Sequence, residues 1–157
     1  MNDNVRPLTR PPIRQQTIVR SDVEHTFDVF TNEIGAWWPT RPFSIGQAKV
    51  VAARIEPRIG GRVYETWTDG HEVDWGHVIA WDPPNLFGMT WEILAAVTEV
   101  ELRFTALGPA VTRVELEHRG WEKLSEDELR AATSVPGGYE AGWARILESL
   151  RTRVEGA

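Results

Sequence analysis

The chain has 157 residues, no cysteine, and 17 Lys+Arg against 23 Asp+Glu, for a formal net charge of -6. The missing cysteines exclude a disulfide scaffold, a thiolate zinc site, an iron–sulfur cluster and a cysteine nucleophile. An acidic chain without a basic block lacks the electrostatic footprint of a nucleic-acid binder. Hydrophobic residues make up 41%, yet no apolar run approaches the ~20 residues of a membrane helix, and residues 1–14 lack the apolar centre of a signal peptide. The expectation is therefore a cytoplasmic protein that neither contacts nucleic acid nor inserts into a membrane. Its length matches one compact domain of roughly 100 to 150 residues.

Residues 1–12 contain three prolines and little that is apolar, so they read as a flexible lead-in to one domain over 13–157. Residues 13–19 have strand character. Ser21 and Glu24 are spaced as a capping box ahead of Val23, Phe27, Phe30 and Ile34, which predicts a helix over 22–33 ended by Gly35. Trp37, Trp38 and Pro39 follow as an aromatic corner. Runs rich in β-branched and aromatic residues then predict strands at 50–56, 62–67, 72–81, 86–93, 97–107 and 111–118. The turns between them are too short for crossover helices, so the strands form an antiparallel meander. Ser125 and Glu128 make a second capping box for a short helix ending near Thr133, interrupted by Pro136-Gly137-Gly138. Beyond it Tyr139, Trp143, Ile146, Leu147, Leu150 and Val154 recur at helical spacing and predict one long amphipathic helix. The fold class is α+β.

This element order is similar to the helix-grip fold of the START/Bet v 1-like (SRPBCC) superfamily. Several motifs within it stand in a recognisable order: Ile55-Glu56-Pro57-Arg58-Ile59-Gly60-Gly61-Arg62, then Glu65, Asp69-Gly70, Trp75-Gly76, Asp82-Pro83-Pro84 and Thr90-Trp91. Together they resemble the family named after the C-terminal domain of the activator of Hsp90 ATPase, over about residues 13–154. The resemblance implies a curved antiparallel sheet wrapped around the long C-terminal helix, with a cavity between them that binds apolar small molecules in various relatives. The family's namesake co-chaperone carries a separate N-terminal domain for which this chain has no space, so an Hsp90-type chaperone is not expected as its partner.

Side chains alternate along a strand, so the apolar set reports the inner face. Val100, Leu102 and Phe104 face in on one strand, Val114, Leu116 and His118 on the next, and Phe87, Met89, Trp91 and Ile93 on the one before. For 72–81 bulk favours Trp75, His77, Ile79 and Trp81 inside. Pairing Trp67 with Val73 across the Asp69-Gly70 turn puts Glu65 opposite Trp75 and inward. The candidate ligand-binding residues are thus Trp37, Trp38, Glu65, Trp67, Trp75, His77, Met89, Trp91, Leu102, His118, Tyr139 and Trp143. Trp37 and Trp38 stand where helix-grip proteins close one mouth of the cavity. Glu65 and the histidines stand as a polar end among rings, because a carboxylate on an apolar face requires partners.

No catalytic motif is present. The serines lack a nucleophile elbow, and Gly60-Gly61 is followed by no helix start or Lys/Ser of a phosphate loop. His71 and His77 flank Glu72 and Asp74, but six residues of strand separate them by about 20 Å. No metal or cofactor is expected. The leading reading is a soluble binding module for a small, largely apolar or aromatic molecule. Its rivals are a cyclase or dehydratase using Glu65 or a histidine as general acid/base, and a protein-interaction module of co-chaperone type.

Overall fold

The computed structural model describes residues 10–132 and 137–156. Most of the expected lead-in, and the end of the short helix at Thr133 with Pro136, lie outside the described residues. At the start of the described chain Arg10 is anchored, its Nη1 donating to the carbonyls of Trp121 (2.7 Å) and Leu124 (2.6 Å).

Seven antiparallel strands form one curled sheet in the order β1-β7-β6-β5-β4-β3-β2. They are β1 Ile13–Val19, β2 Val50–Ile55, β3 Arg62–Trp67, β4 Glu72–Asp82, β5 Leu86–Trp91, β6 Thr98–Gly108 and β7 Val111–Arg119. The helices are α1 Val23–Asn32, α2 Ile34–Trp37, α3 Glu126–Ala132 and α4 Gly138–Gly156. The concave face packs on α1, α2 and α4, whose Trp143, Ile146, Leu147, Leu150 and Val154 are all buried. This is the helix-grip α+β fold. Among the described residues no helix is long and apolar enough to cross a membrane.

Strand polarity follows the hydropathy of the strands closely on β5, β6 and β7. Val100, Leu102 and Phe104 are buried opposite His118, Leu116 and Val114. The outward residues form a lattice of charge in which Arg119 meets Glu99, Glu101 and Glu117, and Arg14 meets Glu117. These pairs are at least partly exposed and each stabilises little; their effect is to keep the convex face out of the core.

β4 departs from simple alternation. Its register slips once against β3 at Val63/Tyr64 and once against β5 at Val78/Ala80. Each bulge adds a residue, so the inward positions are Trp75, Val78 and Trp81, three apart rather than two. His77 and Ile79 therefore point outward, contrary to the expectation from bulk. The bulges also bend the strand, which is how the sheet curls around α4. Gly76 sits at this bend because a Cβ there would lie 1.7 Å from the carbonyl oxygen of Thr90.

Two helix boundaries also differ. The cap of α1 is Asp22, whose side chain accepts from the His25 amide at 2.7 Å, and not the Ser21/Glu24 box. The Ser21 carbonyl is instead bound by the Thr112 hydroxyl. Gly35 lies inside α2 and does not end α1, which stops at Asn32. The second box forms as expected, with Ser125 N donating to Glu128 Oε1 and Glu128 N to Ser125 Oγ.

Candidate functional site

The space between the centre of the sheet and α4 is filled. Phe30, Trp38, Trp75, Phe87, Met89 and Trp143 close it to a void of about 20 Å³, too small for any ligand. A cavity of about 440 Å³, more enclosed than the larger grooves on the surface, lies at one end, where α4 begins. Its walls are Trp38 and Phe43 from the segment after α2, Trp91 at the end of β5, and Tyr139, Trp143 and Ile146 on α4. Gly138 and Gly142 form its floor, and Ser44 and Arg145 are its hydrogen-bonding side chains beside Tyr139. The ring positions are mutually fixed, with Trp91 5.2 Å from Trp143 and 6.4 Å from Tyr139, and Trp38 5.9 Å from Trp143, all edge-on.

Glu65 is fully buried, as its inward position requires, but it pairs with Val73 and not with Trp75. Two residues of slip preserve the parity, so the face is right and the neighbour is different. Among the described residues its carboxylate has no ion pair. Oε1 accepts from Trp75 Nε1 (2.5 Å) and the Ile45 amide (2.9 Å), and Oε2 from Trp67 Nε1 (2.6 Å) and the Gly46 amide (2.7 Å). A carboxylate has about four acceptor sites, so all are occupied by this chain and none is left for a ligand. The result is a clasp that ties the segment bearing Phe43 and Ser44 to β3. Gly46 is obligatory in it, since a Cβ would fall 2.3 Å from Trp67 Nε1.

His118 is buried behind the cavity wall, among Trp91, Trp121, Tyr139 and Trp143. Its Nδ1 accepts from Trp143 Nε1 at 3.1 Å, and an indole N–H only donates. The proton therefore sits on Nε2 and is donated to Thr98 Oγ1 at 2.7 Å. Burial pushes the imidazole down to about 3, so the ring is neutral. It holds Trp143 upright and does not reach the cavity.

Tyr139 does reach it. Its hydroxyl accepts from Trp91 Nε1 at 3.3 Å, and burial raises the phenol above its usual range. The hydroxyl is a donor at neutral pH, and among the described residues its proton has no acceptor.

Of the expected binding residues, the structure brings Trp38, Trp91, Tyr139 and Trp143 together around the cavity. Met89, Leu102 and Trp75 line only the closed interior. Trp37 is a core residue whose Nε1 donates to the Val29 and Phe30 carbonyls, away from the mouth. Trp67 and Glu65 belong to the clasp. His77 is on the convex face, its Nδ1 2.7 Å from Glu92 Oε2, a hydrogen bond that raises its pKa. Phe43, Leu94, Gly142 and Arg145 were not anticipated, and Ile93 was read as facing inward without being named for binding. Gly142 was detectable, because Tyr139, Gly142, Trp143 and Ile146 follow an i, i+3, i+4, i+7 stripe; Phe43 lies in a segment with no period to read.

Several solved structures share this architecture. The anthrahydroquino-γ-pyrone synthase Txn09 is 32% identical, with 88% of this chain and 97% of that chain covered and a TM-score of 0.57. The self-sacrificing resistance protein CalC from Micromonospora echinospora is 25% identical over 93% of this chain and 95% of that one, with a TM-score of 0.67. The Aha1 dimer from Colwellia psychrerythraea shares the fold at 15% identity, covering 92% of this chain and 96% of that one, TM-score 0.63. No curated protein matches the chain. The family model for activator of Hsp90 ATPase homolog 1-like proteins matches residues 20–155, nearly the whole sheet with all four helices, and the chain belongs to that family.

Proposed function

We propose that this protein binds a flat, largely apolar aromatic molecule of about three fused rings in the cavity at the start of α4. The observation that carries the reading is the 440 Å³ cavity itself, walled by Trp38, Phe43, Trp91, Tyr139 and Trp143. That volume lies within the ~300–1,000 Å³ range of small-molecule sites, and a few convergent polar groups among rings are their usual composition. The Tyr139 hydroxyl supplies a donor for a carbonyl or hydroxyl oxygen on the ligand.

A second reading is favoured by the 32% identity to Txn09, a synthase of an anthrahydroquino-γ-pyrone. In that reading the same walls fold a polyketide-like chain into a reactive conformation, where proximity supplies most of the rate and Tyr139 polarises a carbonyl. General acid/base work by Glu65 or His118 is not part of it, since the clasp occupies one and the cavity wall covers the other. Mass-spectrometric detection of a dehydrated or cyclised product separates turnover from binding.

The binding test is titration of 1,8-dihydroxyanthraquinone while tryptophan fluorescence is followed. Wild type is expected to show saturable quenching at micromolar concentration. Gly142→Leu fills the floor, where a Cβ would already be 3.2 Å from Phe43, and is expected to weaken binding at least tenfold. Thermal stability is measured alongside, the gain in helix propensity of Leu over Gly offsetting part of the cost of moving Phe43 aside. Equal affinity in the two proteins would remove the ligand from this cavity.

A further inference from the structure

We infer that the ligand of this cavity carries a carboxylate or comparable anionic group, which Arg145 receives at the rim; this rests on the cavity reading above. Among the described residues Arg145 is the one charged side chain that lines the cavity. It also has no ion pair or hydrogen bond to another described residue. Of the two acidic residues nearest to it on the helix, Glu148 pairs with Arg151 and Glu140, five residues before, forms no ion pair with it. Arg14, Arg58, Arg62, Arg103, Arg113, Arg119, Arg130, Arg151 and Arg153 all meet carboxylates, and of the described arginines that do not, Arg10, Arg20, Arg41 and Arg54 do not line the cavity.

Arg145 is exposed at the rim, between this cavity and the groove beside Trp37 and Ser149, and the helix geometry lets its side chain reach over the cavity. Gly138, Gly142 and Arg145 are spaced i, i+4, i+7 and share one stripe of α4. Side chains on a helix lean toward its N-terminus, so Arg145 leans over the turn containing Gly142. The two glycines have no side chain to obstruct it. A ring system lying on that floor, edge toward Tyr139 and faces against Trp91 and Phe43, would present a substituent at its outer end to Arg145. A planar guanidinium with a fixed fork of donors recognises a carboxylate in two parallel hydrogen bonds, which an ammonium group does not. The Tyr139 hydroxyl then serves the ligand's inner oxygen and Arg145 its outer anion.

The test compares anthracene-2-carboxylate with its primary amide at pH 7.5 by fluorescence titration, in wild type and in Arg145→Gln. Wild type is expected to bind the carboxylate at least tenfold more tightly than the amide, with the preference shrinking as salt is raised. In Arg145→Gln the preference should fall to twofold or less while the amide binds as before. Equal binding of both compounds by wild type, or a preference that survives Arg145→Gln, overturns the anionic group and leaves the aromatic cavity standing. Failure of both compounds to bind wild type removes the cavity reading and this inference with it.

Discussion

His118 shows how a polar residue in an aromatic core acquires a structural role through its partners. The ring is locked in one tautomer by an indole donor on one side and a threonine hydroxyl on the other. Protonating Nδ1 would set two donors against each other in a buried site. This makes a prediction with a definite sign. In the unfolded chain His118 titrates near 6.5, whereas in the folded protein it stays neutral down to about 3. Above about pH 6.5 both states are neutral and the residue contributes no pH dependence. Below it the unfolded state binds a proton that the folded state refuses, so stability falls with pH until the folded value is reached, by roughly 2–3 kcal/mol at pH 4.5. Urea unfolding at pH 7 and pH 4.5 should show this loss in wild type and a smaller one in His118→Gln, which keeps an acceptor and a donor. A slope that His118→Gln leaves unchanged would place the titration elsewhere. The inward position of His118 was legible from the alternation of β7; its sealing by Trp121 was not, because Trp121 sits in a short 3-10 turn without periodicity.

At the scale of elements, the strands were legible where hydropathy alternates and obscure where geometry adds a residue without a change of polarity. β1 and β3 match their expected ranges, and β6 and β7 keep the expected faces. β4 does not, because a bulge is a backbone event and Trp75, His77, Ile79 and Trp81 would satisfy an unbroken strand equally well. Glu65 survives this error since its own strand β3 alternates cleanly, with Val63 and Glu65 both buried. What no pattern announces is the segment it holds. Ile45 and Gly46 are bound to the carboxylate by their amides, and Phe43, two residues earlier, is a wall of the cavity. Glu65→Gln replaces one acceptor oxygen by an NH₂ group that confronts N–H donors. With bonds to a charged acceptor worth about 1.5–3 kcal/mol and buried donors left unpaired, the variant should lose about 2–4 kcal/mol in urea unfolding. It should also release a bound anthraquinone faster in stopped-flow experiments, because the wall is no longer tied to β3. A variant within 0.5 kcal/mol of wild type with an unchanged release rate would show that the clasp holds nothing.

On the scale of the whole molecule, tryptophan divides the grip of the sheet into a sealed core and an open end. A cavity between the sheet and α4 was expected, and it is confined to the start of the helix. Trp38, Trp75 and Trp143 fill the rest of the concave face, because a ring of this size spans the gap between sheet and helix that smaller side chains would leave. Trp38, Trp143 and Ile146 border both the 20 Å³ void and the 440 Å³ cavity, so they act as the partition. Trp143 is held by His118, and Trp38 by the bond from its Nε1 to the Phe43 carbonyl at 2.6 Å. Trp37 is buried to a similar degree, 4% against 8% exposed, but lies behind the partition. The pair therefore provides a controlled comparison. Replacing either with Ala should cost about 3–5 kcal/mol, as large aromatic truncations do. Only Trp38→Ala should join the void to the cavity and lengthen the space along α4. It should shift ligand preference toward a larger ring system, so that a four-ring aromatic acid gains affinity relative to anthracene-2-carboxylate. Trp37→Ala should lose the same stability and keep the wild-type order. If the two variants change ligand preference alike, or if Trp38→Ala leaves it unaltered, the two spaces are not divided by Trp38 and the ligand's size is set by the floor at Gly142.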